Sequence, residues 1–407
     1  MSKIVKTISL KKAAIYSKKR IESVLLNPKN YIGTDNLLQN KKGKINASYT
    51  PEKGSVCRFD KGDILISNIR PYLKKIWYAT ETGGSSADVL TLVVNENYNS
   101  KFVYYSLFRD EFFDYMMTGS KGTKMPRGDK NQVMDFLISD FEFQNQQKIT
   151  SVLSTLDAKI ELNNNINTEL EAVAKSLYNY WFVQFDFPNE NGKPYKSSSG
   201  EMVWSEELKR KIPKGWEVEM INKKVQIGSG FPFDSDNYCD NGEYKIITIK
   251  NVQDGSLDTS TIDKIDFIPE KINDFCILKV GDVLMSLTGN VGRMCFVDQE
   301  NLLLNQRVGK LIGEKDFVIF TYLFFQRPEN RARLDKIAGG SSQSNLSPID
   351  AVKDFFAIPP KNILDNFSKV ITPIFDQMVK NKQENQKLAE LRDWILPMLM
   401  NGQVVVK

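Results

Sequence analysis

The segment from Ile149 to Trp181 places apolar residues and asparagines at alternating steps of four and three residues. This is the seam spacing of a coiled coil, and it predicts a long helix over residues 146–187. Asparagines occupy the centre of the seam, where apolar residues are expected. The ten seam positions are Ile149, Leu153, Leu156, Ile160, Asn163, Asn167, Leu170, Ala174, Leu177 and Trp181.

A second segment, beginning at Phe367, repeats this pattern: apolar residues correspond to apolar residues, and asparagines to asparagines, at nine of the ten positions. The exception is Ala174, which corresponds to Arg392. The repeat predicts a second long helix over residues 363–401. Its seam positions are Phe367, Ile371, Ile374, Met378, Asn381, Asn385, Leu388, Arg392, Ile395 and Leu399.

Antiparallel packing of the two helices would pair residues whose numbers have a constant sum. A sum of 548 pairs Asn163 with Asn385 and Asn167 with Asn381. Because an unpaired amide in an apolar seam is costly, these pairs would fix the register of the helices. The alternative is that the asparagines face solvent in two unrelated helices. The seam from Ile149 to Trp181 predicts a rigid spacer about 50 Å long.

The rest of the chain is also written twice. "KGDILISNIR" at 61–70 returns as "VGDVLMSLTG" at 280–289, and both predict a turn followed by a buried strand. In each copy a helical run and then a Gly/Ser-containing loop follow, at 119–133 and 339–352. This repeat predicts two similar domains of mixed α/β (α+β) structure, each followed by one of the two long antiparallel helices.

The boundaries follow from these patterns. We expect a first domain at 1–145, the first helix at 146–187, a surface linker at 188–212, a second domain at 213–362 and the second helix at 363–401.

Composition is that of a globular protein with more than one domain, at 407 residues with 41% hydrophobic and 26% charged residues. The longest apolar run, "FVIFTYLFF" at 317–325, is too short to cross a bilayer. The N-terminal sequence lacks the apolar core of a signal peptide, so we expect a cytoplasmic protein without a membrane partner. The four scattered cysteines disfavour a disulfide framework or zinc cluster, and no metal site is predicted.

Histidine is absent, which excludes Ser-His-Asp, Cys-His, HExxH and histidine-based nuclease chemistry. Charge is uneven along the chain. Residues 1–44 carry eleven basic and two acidic side chains, a net charge of +9 that favours a nucleic-acid partner or else forms a solvated basic surface. Residues 213–360 have a net charge of −4, so any phosphate contact there requires a local basic patch.

The two Gly/Ser-containing loops carry the candidate DNA contacts. In the first loop, glycines let the backbone approach a polyanion, with Arg127 as the candidate guanine reader and the lysines as phosphate contacts. In the second domain, uncharged groups are candidates for base edges or phosphates, and two arginines are candidates for the DNA backbone. Solvated loops and ordinary turn chemistry remain the alternatives. The candidates are Arg70, Lys74, Lys75, Lys121, Lys124, Arg127 and Lys130 in the first domain, and Arg331, Arg333, Ser341, Ser342, Gln343 and Asn345 in the second. Tyr72 is expected in the core.

Several stretches resemble the specificity (S) subunits of type I restriction-modification systems, and the resemblance covers nearly the whole chain. They are "NIRPYLKKIWYATETGGSSADVLTLVV" and "GTKMPRGDKNQVMDF" in the first domain, the long segment from Gln146 to Pro188 with "NGKPYKSSSGEMVW", and "IPKGWEV" with "IGSGFPF" in the second domain. The first domain departs from the pattern, because it opens with the basic "SKIVKTISLKK" in place of P-x-G-W.

The resemblance implies two target recognition domains that each read half of an asymmetric bipartite site in double-stranded DNA. It implies that the long helices set the gap between the half-sites and dock two methyltransferase (modification) subunits, which restriction (nuclease/translocase) subunits join. S-adenosylmethionine, ATP and Mg are then expected in the partner subunits, and no cofactor in this chain. The sequence agrees, since it has no GxxxxGK[ST] phosphate loop and no NPPY-type tetrapeptide.

Two other interpretations remain open at this stage. The chain could be a self-contained DNA methyltransferase or nuclease, which would modify or cleave DNA without partners. It could also be an assembly scaffold that does not read DNA.

Overall fold

The structure is a computed structural model that describes residues 5–122, 124–340 and 344–406. The chain forms two compact units. The first unit contains the chain up to Lys159 and again from Lys387, and the second contains Ile160–Gln386. The unit boundaries fall inside the two long helices, Phe143–Tyr178 and Lys361–Met400, so each unit contains part of both. No helix among the described residues combines the length and apolar character needed to span a membrane.

The first unit contains two four-stranded sheets. One has the strand order Ala14–Tyr16, Val89–Val94, Ile64–Ser67, Ile76–Tyr78, and all its neighbours are antiparallel. The other has the order Arg20–Glu22, Ser55–Phe59, Gly83–Ser85, Tyr31–Ile32, with only the last pair parallel. Thr7–Ser9 pairs separately with Leu137–Ser139. The short helices are Leu10–Ala13, Ser100–Phe108, Asp110–Thr118 and Lys130–Asp135, with 3-10 turns at Ser23–Leu25 and Pro71–Leu73.

The second unit repeats the first of these sheets. Its order is Val225–Ser229, Val308–Gly313, Val283–Ser286, Met294–Phe296, again antiparallel throughout. The other sheet has the order Asp263–Ile265, Tyr244–Ile247, Leu302–Leu304, Ile277–Leu278, with the central pair parallel. Val252–Gln253 and Ser256–Leu257 form a small hairpin. The helices are Lys315–Phe325, Pro328–Ile337 and Pro348–Ala351, with 3-10 turns at Ile221–Lys223, Ser235–Asn237 and Asp274–Cys276.

The two units open in the same way despite different sequences. Glu217–Met220, which follows the P-x-G-W segment, pairs antiparallel with Phe355–Ile358. Thr7–Ser9 makes the equivalent pair with Leu137–Ser139 in the first unit. Thr7–Ser9, within the basic N-terminal segment, therefore occupies the position of the strand that follows P-x-G-W in the second unit.

Long-helix residues complete the core of each unit. In the first unit, Ile149 and Leu153 pack with Leu396 and Leu399 and with aromatic residues of the short helices. In the second unit, the ring of Phe182 lies 4.8 Å from that of Phe320 and 4.7 Å from that of Phe367. Burial of these apolar faces stabilises the long helices, since isolated helices gain little from propensity alone.

The first long helix ends earlier than the predicted residue 187. After Tyr178 the chain makes a π-helical turn at Asn179–Val183, and Phe185 then adopts a positive φ of 64°. The side chain of Phe185 is buried there beneath the guanidinium of Arg210. A buried aromatic side chain therefore stabilises a backbone conformation that non-glycine residues rarely adopt, and this turn ends the helix.

The predicted linker at 188–212 is not without structure. Met202–Ser205 and Arg210–Pro213 form an antiparallel hairpin, and Ile212 is buried in the core of the second unit. The strands are short, and the apolar Val203 and Trp204 of the first strand are exposed, so no alternation of buried apolar and exposed polar residues indicates them in the sequence.

Candidate nucleic-acid interface

The first candidate loop is held by main-chain hydrogen bonds to the turn that follows the strand Ile64–Ser67. The backbone N–H of Arg70 donates to the carbonyl of Pro126 at 2.8 Å, and that of Gly128 donates to the carbonyl of Asn68 at 3.1 Å. The loop also closes on itself, because Lys121 and Arg127 exchange two backbone hydrogen bonds of 3.0 Å. This bonding fixes the positions from which the loop side chains project.

A helix cap holds the end of this loop. The carboxylate of Asp129 accepts hydrogen bonds from the backbone N–H groups of Asn131 and Gln132 at the start of the helix Lys130–Asp135. The hydrogen bonds from Gln132 and Asn131 lower the pKa of Asp129. The carboxylate therefore stays ionised at neutral pH, and the cap is retained.

Basic side chains of the loop are displayed to solvent. The side chain of Lys121 is 87% exposed, and Lys124 and Lys130 are also exposed. The guanidinium of Arg127 lies 3.2 Å from the carboxylate of Asp88, with 58% of its side chain exposed. Such an exposed ion pair is weak, so Arg127 remains accessible to a ligand.

The three basic residues of "IRPYLKK" do not share one environment. Arg70 is exposed at a positive φ of 50°, whereas Lys74 forms an ion pair with Asp110 at 2.9 Å. Lys75 donates to the backbone carbonyl of Thr34, and burial lowers the pKa of its ammonium group. Of these three residues, Arg70 alone has a side chain without an ion pair or hydrogen bond within the described ranges. The prediction that Tyr72 lies in the core is wrong, since it is 49% exposed.

The second candidate loop is held by the same main-chain bonds at the equivalent positions. The backbone N–H of Gly289 donates to the carbonyl of Ser344 at 2.9 Å, and that of Leu346 donates to the carbonyl of Leu287 at 2.7 Å. Gly339 and Asn345 exchange two backbone hydrogen bonds, as Lys121 and Arg127 do in the first loop. The predicted sequence repeat is therefore also a repeat of individual hydrogen bonds.

The side chains on this second loop are neutral. Asn345, at the position of Arg127, is exposed, and its Oδ1 accepts a hydrogen bond of 3.0 Å from the hydroxyl of Thr288. Ser341, Ser342 and Gln343 lie outside the described residues. The two loops therefore present different chemistry on one backbone design.

The two arginines before this loop make different bonds. Arg331 forms a two-point pair with the carboxylate of Asp254, at 3.0 and 3.3 Å. Arg333 lies 3.0 Å from Asp354 and donates to three backbone carbonyls, those of Ala351, Asp350 and Lys353. A phosphate contact by Arg333 would require these bonds to break, so Arg333 is not included in the interface proposed below.

In each unit, a residue that the sequence analysis did not single out precedes an inner strand of the antiparallel four-stranded sheet. These strands are Val89–Val94 in the first unit and Val308–Gly313 in the second. In the first unit the residue is Asp88, the partner of Arg127, and in the second unit it is Arg307. The signal was present in the sequence, because the alignment that matches Lys61 with Val280 also matches Asp88 with Arg307. Arg307 is exposed and lines a polar groove of about 630 Å³ beside the second loop.

The seam asparagines meet in the pairs given by a residue-number sum of 548. The amide of Asn163 donates to Asn385 Oδ1 at 2.9 Å, and that of Asn381 donates to Asn167 Oδ1 at 2.8 Å. The amide of Asn167 also reaches the backbone carbonyl of Met378 at 3.1 Å. The polar groups are hydrogen-bonded within the second unit, and the two helices run antiparallel there.

Arg392, the exception in the seam repeat, has its own partners in the first unit. Its guanidinium donates to Asp157 at 2.8 Å and lies 4.6 Å from the centre of the Phe108 ring. Burial lowers the pKa of Arg392, but hydrogen bonds and charges of Asp393 and Asp157 raise it above its ordinary value overall. Tyr105 also donates to Asp157, at 2.6 Å. A local polar cluster thus explains why the repeat fails at this position.

Comparison with known proteins agrees with this internal repeat. The sequence profile of the type I restriction modification DNA specificity domain matches residues 4–172 and again residues 213–392.

Two relatives are similar over most of their length. The MjaIX specificity subunit of a type I restriction enzyme from Methanocaldococcus jannaschii is 26% identical, over 86% of this chain and 79% of the relative. The HindI specificity subunit of a type I restriction enzyme from Haemophilus influenzae is 24% identical, over 92% of this chain and 94% of the relative.

A solved structure shares the fold. The crystal structure of the type I restriction-modification system S subunit from M. genitalium superposes with a TM-score of 0.55 at 14% identity, covering 98% of this chain and 97% of that one.

Proposed function

The chain belongs to the type I restriction modification DNA specificity family, with the family domain present twice, and we propose that each copy reads one half of an asymmetric bipartite DNA target. The observation that carries this proposal is the pair of loops at 119–129 and 339–347. They share main-chain hydrogen bonds but differ in the side chains displayed. Two loops with the same main-chain bonding and different side chains suit two half-sites of different sequence.

The proposed contacts use the chemistry of the major groove, where each base pair presents a distinct set of donors and acceptors. We propose that Arg127 bonds guanine O6 and N7, and that Lys121, Lys124 and Arg70 contact phosphates. In the second unit Asn345 supplies an amide that both donates and accepts. Because main-chain bonds hold the described residues of both loops, we expect little ordering of those residues when DNA binds.

The long helices would set the separation of the half-sites. Both asparagine pairs are hydrogen-bonded, and a shift of one helix along the other would leave buried amides without partners. The register that these pairs favour therefore favours one gap length. A gap set by the helices would stay unchanged when the loops are altered.

We propose two methyltransferase subunits as protein partners, docked at repeated positions of the helices. Val173 is 46% exposed, and Leu391, its equivalent in the second helix, is 44% exposed. Trp394 adds an indole that is 65% exposed. Val173→Asp and Leu391→Asp should each lower the number of bound methyltransferase subunits from two to one in native mass spectrometry, and Val173→Ile should not. Retention of two subunits by both aspartate variants would exclude these positions.

The catalytic groups and the cofactors would then reside in the partners, with S-adenosylmethionine in the methyltransferase subunits and ATP and Mg where the restriction subunits act. This chain is proposed to be non-catalytic. Methyl transfer or DNA cleavage by the purified chain alone, supplied with S-adenosylmethionine and magnesium, would instead support the self-contained enzyme.

Mapping of methylated adenines tests the central proposal. This chain is expressed with its methyltransferase subunits in a host that lacks other adenine methylation. We expect the DNA of that host to be methylated at one asymmetric bipartite sequence with a constant gap. If duplexes selected from a random library by the same complex show no bipartite sequence, the chain is a scaffold that does not read DNA.

A further inference from the structure

Asp88 and Arg307 occupy equivalent positions in the two units. Asp88 immediately precedes the strand Val89–Val94, and Arg307 immediately precedes Val308–Gly313. Their carbonyls accept equivalent hydrogen bonds, from the N–H of Asn68 at 2.8 Å and from the N–H of Leu287 at 3.1 Å. The same backbone site therefore carries a negative side chain in one unit and a positive side chain in the other.

This exchange reverses the arrangement of charge at the two loops. In the first unit the arginine lies on the loop, as Arg127, and the carboxylate of Asp88 balances it from the strand. In the second unit the loop residue Asn345 is neutral and is bonded to Thr288. Arg307 is exposed and forms no ion pair with any residue that the structure describes.

Arg307 is also held in place by both of its backbone polar groups. Its carbonyl accepts from Leu287, and its N–H donates to the side-chain oxygen of Asn305 at 3.3 Å. Arg307 lines the groove of about 630 Å³ with Gln306, Thr288 and Asn345. A guanidinium on a fixed backbone, beside an amide and a hydroxyl, has the directional donors that base recognition requires.

We propose that Arg307 is the base-reading arginine of the second unit and contacts a guanine in the second half-site. This inference rests on the proposed function. Within residues 213–360, whose net charge is −4, an arginine without a carboxylate partner among the described residues is a local attraction for DNA. The first unit would read guanine from its loop and the second from the start of its central strand.

Two variants of the full chain, assembled with the methyltransferase subunits, test this assignment. We expect Arg307→Ala to weaken binding to the target duplex by roughly 5- to 150-fold, with base preference lost at one position of the second half-site only. Arg307→Lys should retain attraction to DNA but discriminate less at that position, because lysine lacks the planar fork. Arg127→Ala is the matched control, since it should alter only the first half-site. The exposed position of Arg307 predicts unchanged thermal midpoints.

The possible outcomes separate the claims. Arg307→Ala could weaken binding to every duplex equally and reduce the slope of log affinity against log salt concentration by about one. That result would make Arg307 a phosphate contact and overturn the assignment. Unchanged base preference and affinity in Arg307→Ala would also overturn the assignment. If the wild-type complex still selected a bipartite sequence, the proposed function would remain intact. If the wild-type complex selected no bipartite sequence, the proposed function would fail and this inference with it.

Discussion

The two candidate loops differ in their side chains but not in the main-chain hydrogen bonds that hold them. Each is fixed by main-chain bonds between the loop and the turn after a central strand, as Arg70 with Pro126 and Gly289 with Ser344 show. One loop carries Arg127 paired with Asp88, whereas the other carries Asn345 near Arg307, which has no ion-pair partner in the part of the chain that the structure describes. Main-chain hydrogen bonds specify the backbone conformation of each loop, so the exposed side chains vary without a change in that conformation.

The largest expected effect comes from exchanging most of the second domain. Replacement of residues 213–360 by the corresponding segment of a relative should abolish methylation of the original second half-site and introduce another. The loss should approach the roughly 10³-fold or greater ratio between specific and non-specific binding. Genome-wide methylation mapping should show an unchanged first half-site and gap. A change in both halves would contradict the independence of the two units.

A smaller effect should follow from Arg127→Ala. Loss of one base-reading arginine costs roughly 5- to 150-fold in affinity and relaxes one base position. Binding to duplexes substituted at each position should show the relaxation in the first half-site alone. Lys121→Ala is a useful comparison, since loss of a phosphate contact should weaken all sequences alike and lower the salt dependence. Relaxation in the second half-site would contradict the assignment of the loops.

Substitution of a seam asparagine should lower the stability of the protein and leave its base preference unchanged. Asn167→Ala leaves the amide of Asn381 without its partner and should lower the free energy of unfolding by about 1–3 kcal/mol. The double variant Asn167→Leu with Asn381→Leu should recover most of this loss, because both polar groups are then removed. Urea denaturation measures both values. If the double variant remained as unstable as the single one, the amide pair would not be the cause.

The smallest effect is expected at Asp88. Asp88→Asn removes the carboxylate beside Arg127 and a negative charge near the proposed DNA surface. Since an exposed ion pair contributes about 0–1 kcal/mol, affinity should rise by at most about fivefold, with target sequence unchanged. Titrations at low and high salt should show the gain chiefly at low salt. Weaker binding would mean that Asp88 orients Arg127 for recognition.

The sequence predicted the repeated parts well, because they follow from periodicity. The seam spacing predicted both long helices, observed at Phe143–Tyr178 and Lys361–Met400, although the first ends before the predicted residue 187. The sum of 548 gave the asparagine pairs. The return of the 61–70 sequence at 280–289 anticipated that the two domains share one fold. These features depend on residue types at fixed spacings, which a single sequence records directly.

The ion-pair partners could not be predicted. Asp88 lies 39 residues from Arg127, and Asp254 lies 77 residues from Arg331. Such pairs form only after the strands are in place, and many carboxylates in the sequence were equally available. Lys74, Lys75 and Arg333 were therefore grouped with the exposed basic residues, although each has intramolecular partners. Arg307 was missed because a lone arginine before a strand is ordinary until its counterpart is known.

The attachment of both loops through backbone atoms has an evolutionary consequence. Hydrogen bonds such as those of Gly128 and Leu346 do not depend on the side chains at Arg127 or Asn345. A lineage can therefore acquire point mutations at the tip of either loop without first acquiring compensating changes in the protein interior. New preferences would then accumulate in one half while the other continues to work, which is the condition for gradual diversification.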